Sequence, residues 1–325
     1  MLKAVDQAPI FSRRFTDPED VALAVRDAGI EYVPLGGGPY DASLTLVQAG
    51  SLRIQRVVDQ AHIVRGAVEE ARMGLLFSTR HLAAPVVNGC ALNAGRMLAL
   101  PPGRELHGLC PGQLQWASFS FPAEVAERLF DLGGMPFGVR STAPALLVPP
   151  AVAALLSNTA VEITDLAERL FEQGATTMSA AFLPEGVLEL CIEAFSKAEE
   201  HPVCGRAARD AIRILNRAEE FLRANIDRPI YTDELCAALA VSPRKLHQAF
   251  VATCGMSPHA YLKRRRLTMV HRALKSAGQE GLLVKSVALA HGFWHLGNFA
   301  HDYRELFGQS PSDTMLQARA GLSRH

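Results

Sequence analysis

Arg244, Lys245, His247 and Gln248 fall within five positions, and His295, Asn298, His301 and Arg304 form a second polar group further along the chain. These side chains suit contact with a nucleic acid better than bond-making. Arg244, His247 and Gln248 can donate to base edges in a major groove, and Asn298 can bond an adenine through both atoms of its amide. Lys245 and Arg304 suit phosphates, as do Arg264 and Arg265 in the run Lys263-Arg264-Arg265-Arg266. Arg266, beside Leu267 and Val270, fits a structural ion pair as well as a phosphate contact. Phe250, Phe293, Trp294, Phe299 and Tyr303 are read as core or rim packing rather than base-stacking platforms.

Such groups must be carried on elements that fit a groove. Thr232 is expected to cap a short helix with Leu235, Ala237 and Leu239 inward. Ala240-Val241 then turns the chain, and Ser242 caps a second helix with Pro243 at its first position. This second helix buries Leu246 and Phe250 and presents Arg244 to Gln248 outward. The layout recurs: a short helix over 285–291, a turn at Gly292-Phe293, and a helix over 295–306 that buries Phe299 and Tyr303. Leu246 to Phe299 and Phe250 to Tyr303 are both 53 positions apart, so the two copies are in register. Between them, 257–277 reads as one helix of roughly 20 residues, or about 30 Å. Neighbouring major grooves on one face of B-DNA are about 34 Å apart.

This segment resembles the DNA-binding domain of the AraC/XylS family of transcription regulators. The residues that carry the resemblance are Ser242-Pro243, Leu246, Phe250, Gly255-Met256-Ser257-Pro258, Tyr261-Leu262 and Arg266-Leu267. Val287-Ala288, Gly292-Phe293, Phe299, Tyr303 and Phe307-Gly308-Gln309-Ser310-Pro311 continue it. It covers about 208–318. Two positions depart from the family pattern. Gly297 and His301 stand where the family usually has Ser and Arg, at positions that face DNA. The resemblance implies helix-turn-helix units at about 232–254 and 284–307, joined by a linker helix at about 257–277. It also implies double-stranded DNA and RNA polymerase as partners, activation more than repression, and an N-terminal cupin-like domain that senses an effector or dimerises.

The remaining sequence is consistent with that division. Residues 206–325 hold 18 of the 33 Lys and Arg and 10 of the 33 Asp and Glu, a net of +8; residues 1–205 carry the compensating −8. A basic segment joined to an acidic one implies that only the former meets a polyanion. The expected fold class is α+β. An antiparallel β-roll with helices occupies about 1–200, and an all-α domain occupies 206–325. Asp17 opens a short helix through Ala28. Strands follow at 43–47, 52–58, 62–66, 73–78, 96–100, 105–109 and 114–121. Helices are expected at 122–132, 149–158, 161–173, with Glu168 and Glu172 outward, and 184–197, then a linker at 198–205. Another helix, 207–224, is stopped by Asp227-Arg228-Pro229.

Two enzymatic readings compete. Gly89-Cys90-Ala91 superficially matches a nucleophile elbow of a cysteine hydrolase, but an elbow needs a helix directly after it. Gly95 and a strand-like run stand there instead. A metal-dependent cupin needs paired ligands, and His62, His81, His107 and His201 are widely spaced. The six cysteines match no paired zinc-ligand spacing. No catalytic residue, metal or cofactor is therefore expected. With neither a long apolar run nor a leader pattern, no membrane association is expected, and the location is cytoplasmic. A homodimer is expected without a diagnostic motif. Trp116, Phe119 and Phe121 alternate on the last strand, where they line a pocket or fill a core. A ligand-independent dimer acting as a repressor remains the alternative.

Overall fold

The computed structural model describes residues 7–93, 95–133, 145–180, 183–201, 206–228, 230–277 and 282–322. The chain divides into two compact units. The first comprises 1–32 and 41–205; the second comprises 206–325 together with Val33–Tyr40.

The first unit opens with β1 (Gln7–Phe15), α1 (Pro18–Ala24) and β2 (Ala28–Pro34). The roll continues through β3 (Ala42–Ala49), β4 (Leu52–Asp59), β5 (His62–Val68), β6 (Arg72–His81), β7 (Val86–Val87), β8 (Cys90–Ala91), β9 (Arg96–Leu100), β10 (Glu105–Cys110) and β11 (Leu114–Pro122). Then come α2 (Ala123–Leu132), β12 (Ala145–Leu147), α3 (Pro150–Glu172), β13 (Thr177–Ser179), α4 (Leu183–Ser196) and β14 (Glu199–His201). Nine strands form one sheet in the order β13-β1-β3-β4-β11-β6-β9-β12-β14, and five form a second in the order β2-β5-β10-β7-β8. The strand pairs with a described register are antiparallel, as the close spacing of short strands and turns implies.

Strand side chains alternate between faces, and the large sheet uses both. Ile54, Leu75, Phe77, Phe119 and Phe121 pack with Leu156 and Ala160 of α3 and Val187, Cys191 and Phe195 of α4. Leu98 and Leu100 instead meet Val68, Val87 and Leu106 of the small sheet. Arg56, buried on β4, reaches Asp165 and Glu168 of α3 and ties that helix to the sheet. Phe119 and Phe121 thus fill the helix-facing core. Trp116, of opposite parity, lines a cavity between the sheets.

Several local expectations are corrected. The helix begun at Asp17 ends at Ala24, and Ala28 already opens β2. The two helices expected over 149–173 are one continuous helix, because nothing between Asn158 and Val161 breaks the pattern. Glu168 is tied to Arg56 rather than free on the outer face. Within the expected linker, Glu199–His201 pairs with β12, while 202–205 lie outside the described residues.

The second unit contains α5 (Arg206–Ala224), α6 (Thr232–Leu239), α7 (Pro243–Cys254), α8 (Pro258–Ala277), α9 (Val284–Ala290), α10 (Leu296–Phe307) and α11 (Pro311–Leu322). Helix α5 ends at Ala224, as expected. Thr232 is the first helical residue of α6, and the cap is Tyr231, whose side chain bonds no backbone N–H. Ser242 does cap α7: its hydroxyl accepts from the Lys245 N–H at 3.2 Å, and Pro243 follows at the first turn. Both second helices, α7 and α10, end on a left-handed glycine, Gly255 (φ 68°) and Gly308 (φ 71°).

Candidate nucleic-acid interface

The two helix-turn-helix units are held against opposite ends of the linker helix α8 by related aromatic contacts. In the first, Leu246 and Phe250 of α7 are fully buried, and Phe250 meets the ring of Tyr261 edge-on at 5.5 Å. The Tyr261 hydroxyl donates to Glu219 of α5. In the second, Phe299, Tyr303 and Phe307 of α10 pack with Leu267, Val270 and Leu274 of α8 and with Val287 and Ala288 of α9. Here the aromatic at the position equivalent to Phe250 is Tyr303. Its hydroxyl lies 2.6 Å from His271 Nδ1 and 2.8 Å from Thr314 Oγ1. His271 stacks on Phe307 with ring centres 4.3 Å apart. Each inward stripe leaves the opposite helix face outward.

Those outward faces carry the predicted residues. Arg244, Lys245, His247 and Gln248 are exposed on the first half of α7. Gly297, Asn298, His301 and Arg304 are exposed on α10, and His295 is exposed at its N-cap. A β-carbon built on Gly297 meets nothing within 4 Å, so the site where the family usually has serine is open.

The basic run on α8 is a correction. Arg265 is 2% exposed, and its Nε lies 3.8 Å from Glu219 Oε2, so its guanidinium is part of the interior rather than a phosphate contact. Arg264 donates through Nη1 to the carbonyls of Pro34 and Leu35, at 3.2 and 2.9 Å. Lys263 pairs with Asp302 of α10 at 2.7 Å. Arg266, for which an ion pair and a phosphate contact were both open, donates to the Arg228 carbonyl at 3.0 Å, and burial lowers its pKa. The physical reason is rotation. Four consecutive residues on a helix point about 100° apart and cannot share one face. Arg265, four after Tyr261, must follow it inward.

Two aromatics are exposed. Trp294, read as core or rim packing, is 61% exposed, and Tyr231, which the sequence reading did not single out, is 71% exposed. Both line a groove of about 440 Å³ with His259, Lys263, His295 and Asn298. Their signal was positional: each stands at or just before the cap of a helix, ahead of the first inward residue. Phe293, by contrast, packs on Phe299 at 5.0 Å, as expected.

In the first unit, Cys90 is buried in β8, and the next described element is strand β9, so no helix N-terminus follows the thiol. His62 and Asp59 form a buried pair 3.6 Å apart, with the Tyr32 ring stacked on His62 at 4.0 Å. Burial opposes charge on His62, but Asp59, Cys110 and the Gln60 carbonyl outweigh it and raise the pKa to about 10. His107 is buried, and its Nε2 has no hydrogen-bond partner among the described residues. Burial and the nearby Arg65 lower its pKa to about 4. His81 lies 2.8 Å from the Ser78 hydroxyl.

A helix-turn-helix domain family matches residues 235–317. The XylDLEGF operon transcriptional activator of Pseudomonas putida is 34% identical over 103 residues, which is 32% of this chain and 32% of that protein. The XylDLEGF operon transcriptional activator 2 of the same organism is 36% identical over 99 residues, 30% of this chain and 63% of the relative. The crystal structure of a probable AraC family transcriptional regulator from Rhodopseudomonas palustris CGA009 is 40% identical. It covers 33% of this chain and 98% of that one, with a TM-score of 0.30. The chain thus spans about a third of the length of the first curated relative it matches. Two paired helices on each side of a connecting helix define a double helix-turn-helix DNA-binding domain. That domain belongs to the AraC/XylS family.

Proposed function

We propose that the chain is a sequence-specific transcription regulator whose two helix-turn-helix units read successive major grooves, and that it activates its promoters by recruiting RNA polymerase. The observation that carries this is the second unit's construction. Two outward polar helix faces flank a single 20-residue helix, Pro258–Ala277, of about 30 Å. Arg244, His247, Gln248 and Asn298 read base edges, and Lys245 and Arg304 meet phosphates. Gly297 and His301 give the second helix a readout different from the family pattern. The first unit senses a small effector within its roll and pairs two copies through its helices. An effector then changes the orientation or pairing of the DNA-binding domains.

The protein works in the cytoplasm under this reading. No described helix is long and apolar enough to cross a membrane. No catalytic step or cofactor is assigned to it. A promoter reporter tests the sign: expression silent without the protein and rising with it is expected, while constitutive expression in a deletion strain makes it a repressor. For the sensor, a metabolite panel must include a compound that raises the melting temperature, because a ligand preferring the folded state stabilises it. A panel that leaves the melting temperature unmoved counts against sensing.

A further inference from the structure

Between the two sheets of the first unit lies a cavity of about 90 Å³. Its wall is mostly aliphatic, with Ile30, Val64, Leu76 and Leu100 among the residues that line it. It is somewhat smaller than the ~150 Å³ space that accepts a benzene molecule, so an occupant of one small ring or less fits with modest side-chain adjustment. Such a wall by itself would take any apolar molecule of that size.

Asp27 interrupts it, as do Gln55, His62, Ser118 and Ser120. Asp27 is 5% exposed and is among the residues that line the cavity. Its Oδ1 is held by Arg72 Nε at 3.0 Å and by Arg53 Nη1. Its Oδ2 is buried and has no hydrogen-bond partner among the described residues. A buried charged acceptor left unpaired is costly, and such groups call for an explanation. The residue is also fixed from several sides. Its φ is +67°, an uncommon region for a residue with a side chain. Its carbonyl accepts from the Glu69 N–H at 2.9 Å. The Gln55 amide clamps the preceding residue, accepting from Arg26 N–H and donating to Arg26 C=O, both at 3.1 Å.

We infer that this cavity binds a small, neutral, largely apolar molecule bearing a hydroxyl group, of the phenol class, whose O–H donates to Asp27 Oδ2. The inference rests on the sensor reading above and adds the chemical class of its ligand. Each feature of the class follows from one observation. The aliphatic wall demands an apolar body, and the volume limits it to a single ring. Oδ2 can only accept while ionised, so the ligand must donate. Two guanidiniums already balance the Asp27 charge, so a cationic amine gains little and a neutral donor suffices. An anionic carboxylate would place like charge against Oδ2.

The test compares three probes of similar size on the full chain: phenol, toluene and benzoate, by calorimetric titration and thermal melting. Toluene replaces the hydroxyl with a methyl group and keeps the shape. Phenol should bind about tenfold or more tightly than either of the others and raise the melting temperature. Leu100→Phe, which fills the cavity without touching Asp27, should abolish that shift. Toluene binding as well as phenol overturns the hydroxyl class while leaving the cavity as a sensor site. Benzoate binding more tightly overturns the neutral-donor argument in the same way. No response to phenol also overturns the inference, and the metabolite panel then decides separately whether the roll senses anything.

Discussion

His271 Nδ1 on the linker helix lies 2.6 Å from the hydroxyl of Tyr303 on the second recognition helix. The same hydroxyl reaches Thr314 of α11 at 2.8 Å, and His271, Tyr303 and Thr314 are all 2% exposed or less. One phenol oxygen therefore joins three helices. Tyr303→Phe keeps the ring and removes the oxygen, leaving buried polar groups with fewer partners. The expected cost is about 1–3 kcal/mol, local to the second helix-turn-helix unit. Amide hydrogen exchange should accelerate in α10 and α11 and stay unchanged in β3 and β4. Uniform protection across the chain would mean that the oxygen holds nothing in place.

Arg265 and Lys245 should respond in opposite ways to loss of charge. Arg265→Met removes the buried cation beside Glu219, which keeps its hydrogen bond from Tyr261, a loss on the order of 3 kcal/mol of stability for a weakened interior charge pair. Lys245→Met should leave the fold intact and lower the salt dependence of DNA binding by about one unit of slope. Titrations at several salt concentrations, with denaturant unfolding alongside, separate the two. A reduced salt slope in stably folded Arg265→Met would return that side chain to the DNA surface.

Arg244→Ala and Gln248→Ala should weaken binding to the cognate site more than binding to unrelated DNA, by about 1–3 kcal/mol of discrimination each. Mobility shifts on both DNAs measure the ratio. Equal loss on the two would assign these side chains to the phosphate backbone instead.

Gly297→Ser tests the open site on α10. Serine is a better helix former than glycine by about half a kcal/mol, and the added β-carbon meets nothing. The variant should fold at least as stably and bind DNA about twofold to tenfold more tightly through the added hydroxyl. Weaker binding by a well-folded variant would show that DNA approaches the bare backbone there. The contrasting control is Gly255→Ala, which forces a side chain into φ 68° and should destabilise α7 by about 1 kcal/mol.

His107 should make the β-roll acid-sensitive. Its folded pKa, near 4, lies below the ordinary histidine value of 6.5. The unfolded chain therefore binds a proton that the folded chain refuses. This contribution to stability is complete above pH 6.5 and is lost as pH falls toward 4, on the order of 3 kcal/mol. His107→Phe should shift the acid-unfolding midpoint of the strands downward, read by far-ultraviolet circular dichroism. An unchanged midpoint would place the acid sensitivity elsewhere.

The second unit was far more legible from sequence than the first. Local helical rules govern it: Ser242-Pro243 at a cap, Gly255 at an end, and Leu246 with Phe250 one turn apart. A 53-residue repeat supplied the pairing. The charge run was misread because adjacency in sequence was taken as a shared surface, whereas helical rotation sends Arg265 to Glu219. In the roll, β3 to β6 and β9 to β11 were placed, but β1, β2, β7, β8, β12, β13 and β14 were not. β7 and β8 are only two residues each, and β1 has a distant partner, with Gln7 opposite Ser179, which no local pattern encodes. Asp27 falls inside the short helix expected through Ala28, whereas the observed helix ends at Ala24. Its burial between Arg53 and Arg72 exists only once β2, β4 and β6 have assembled.

The most direct measurement is a hydroxyl-radical and base-methylation footprint of the protein on a cognate site, paired with the same experiment on Asn298→Ala. One protomer should protect two major-groove segments about one helical turn apart on one face of the duplex, and Asn298→Ala should lose contacts only in one of them. Protection of a single groove segment per protomer, or loss of both segments in Asn298→Ala, would contradict the account.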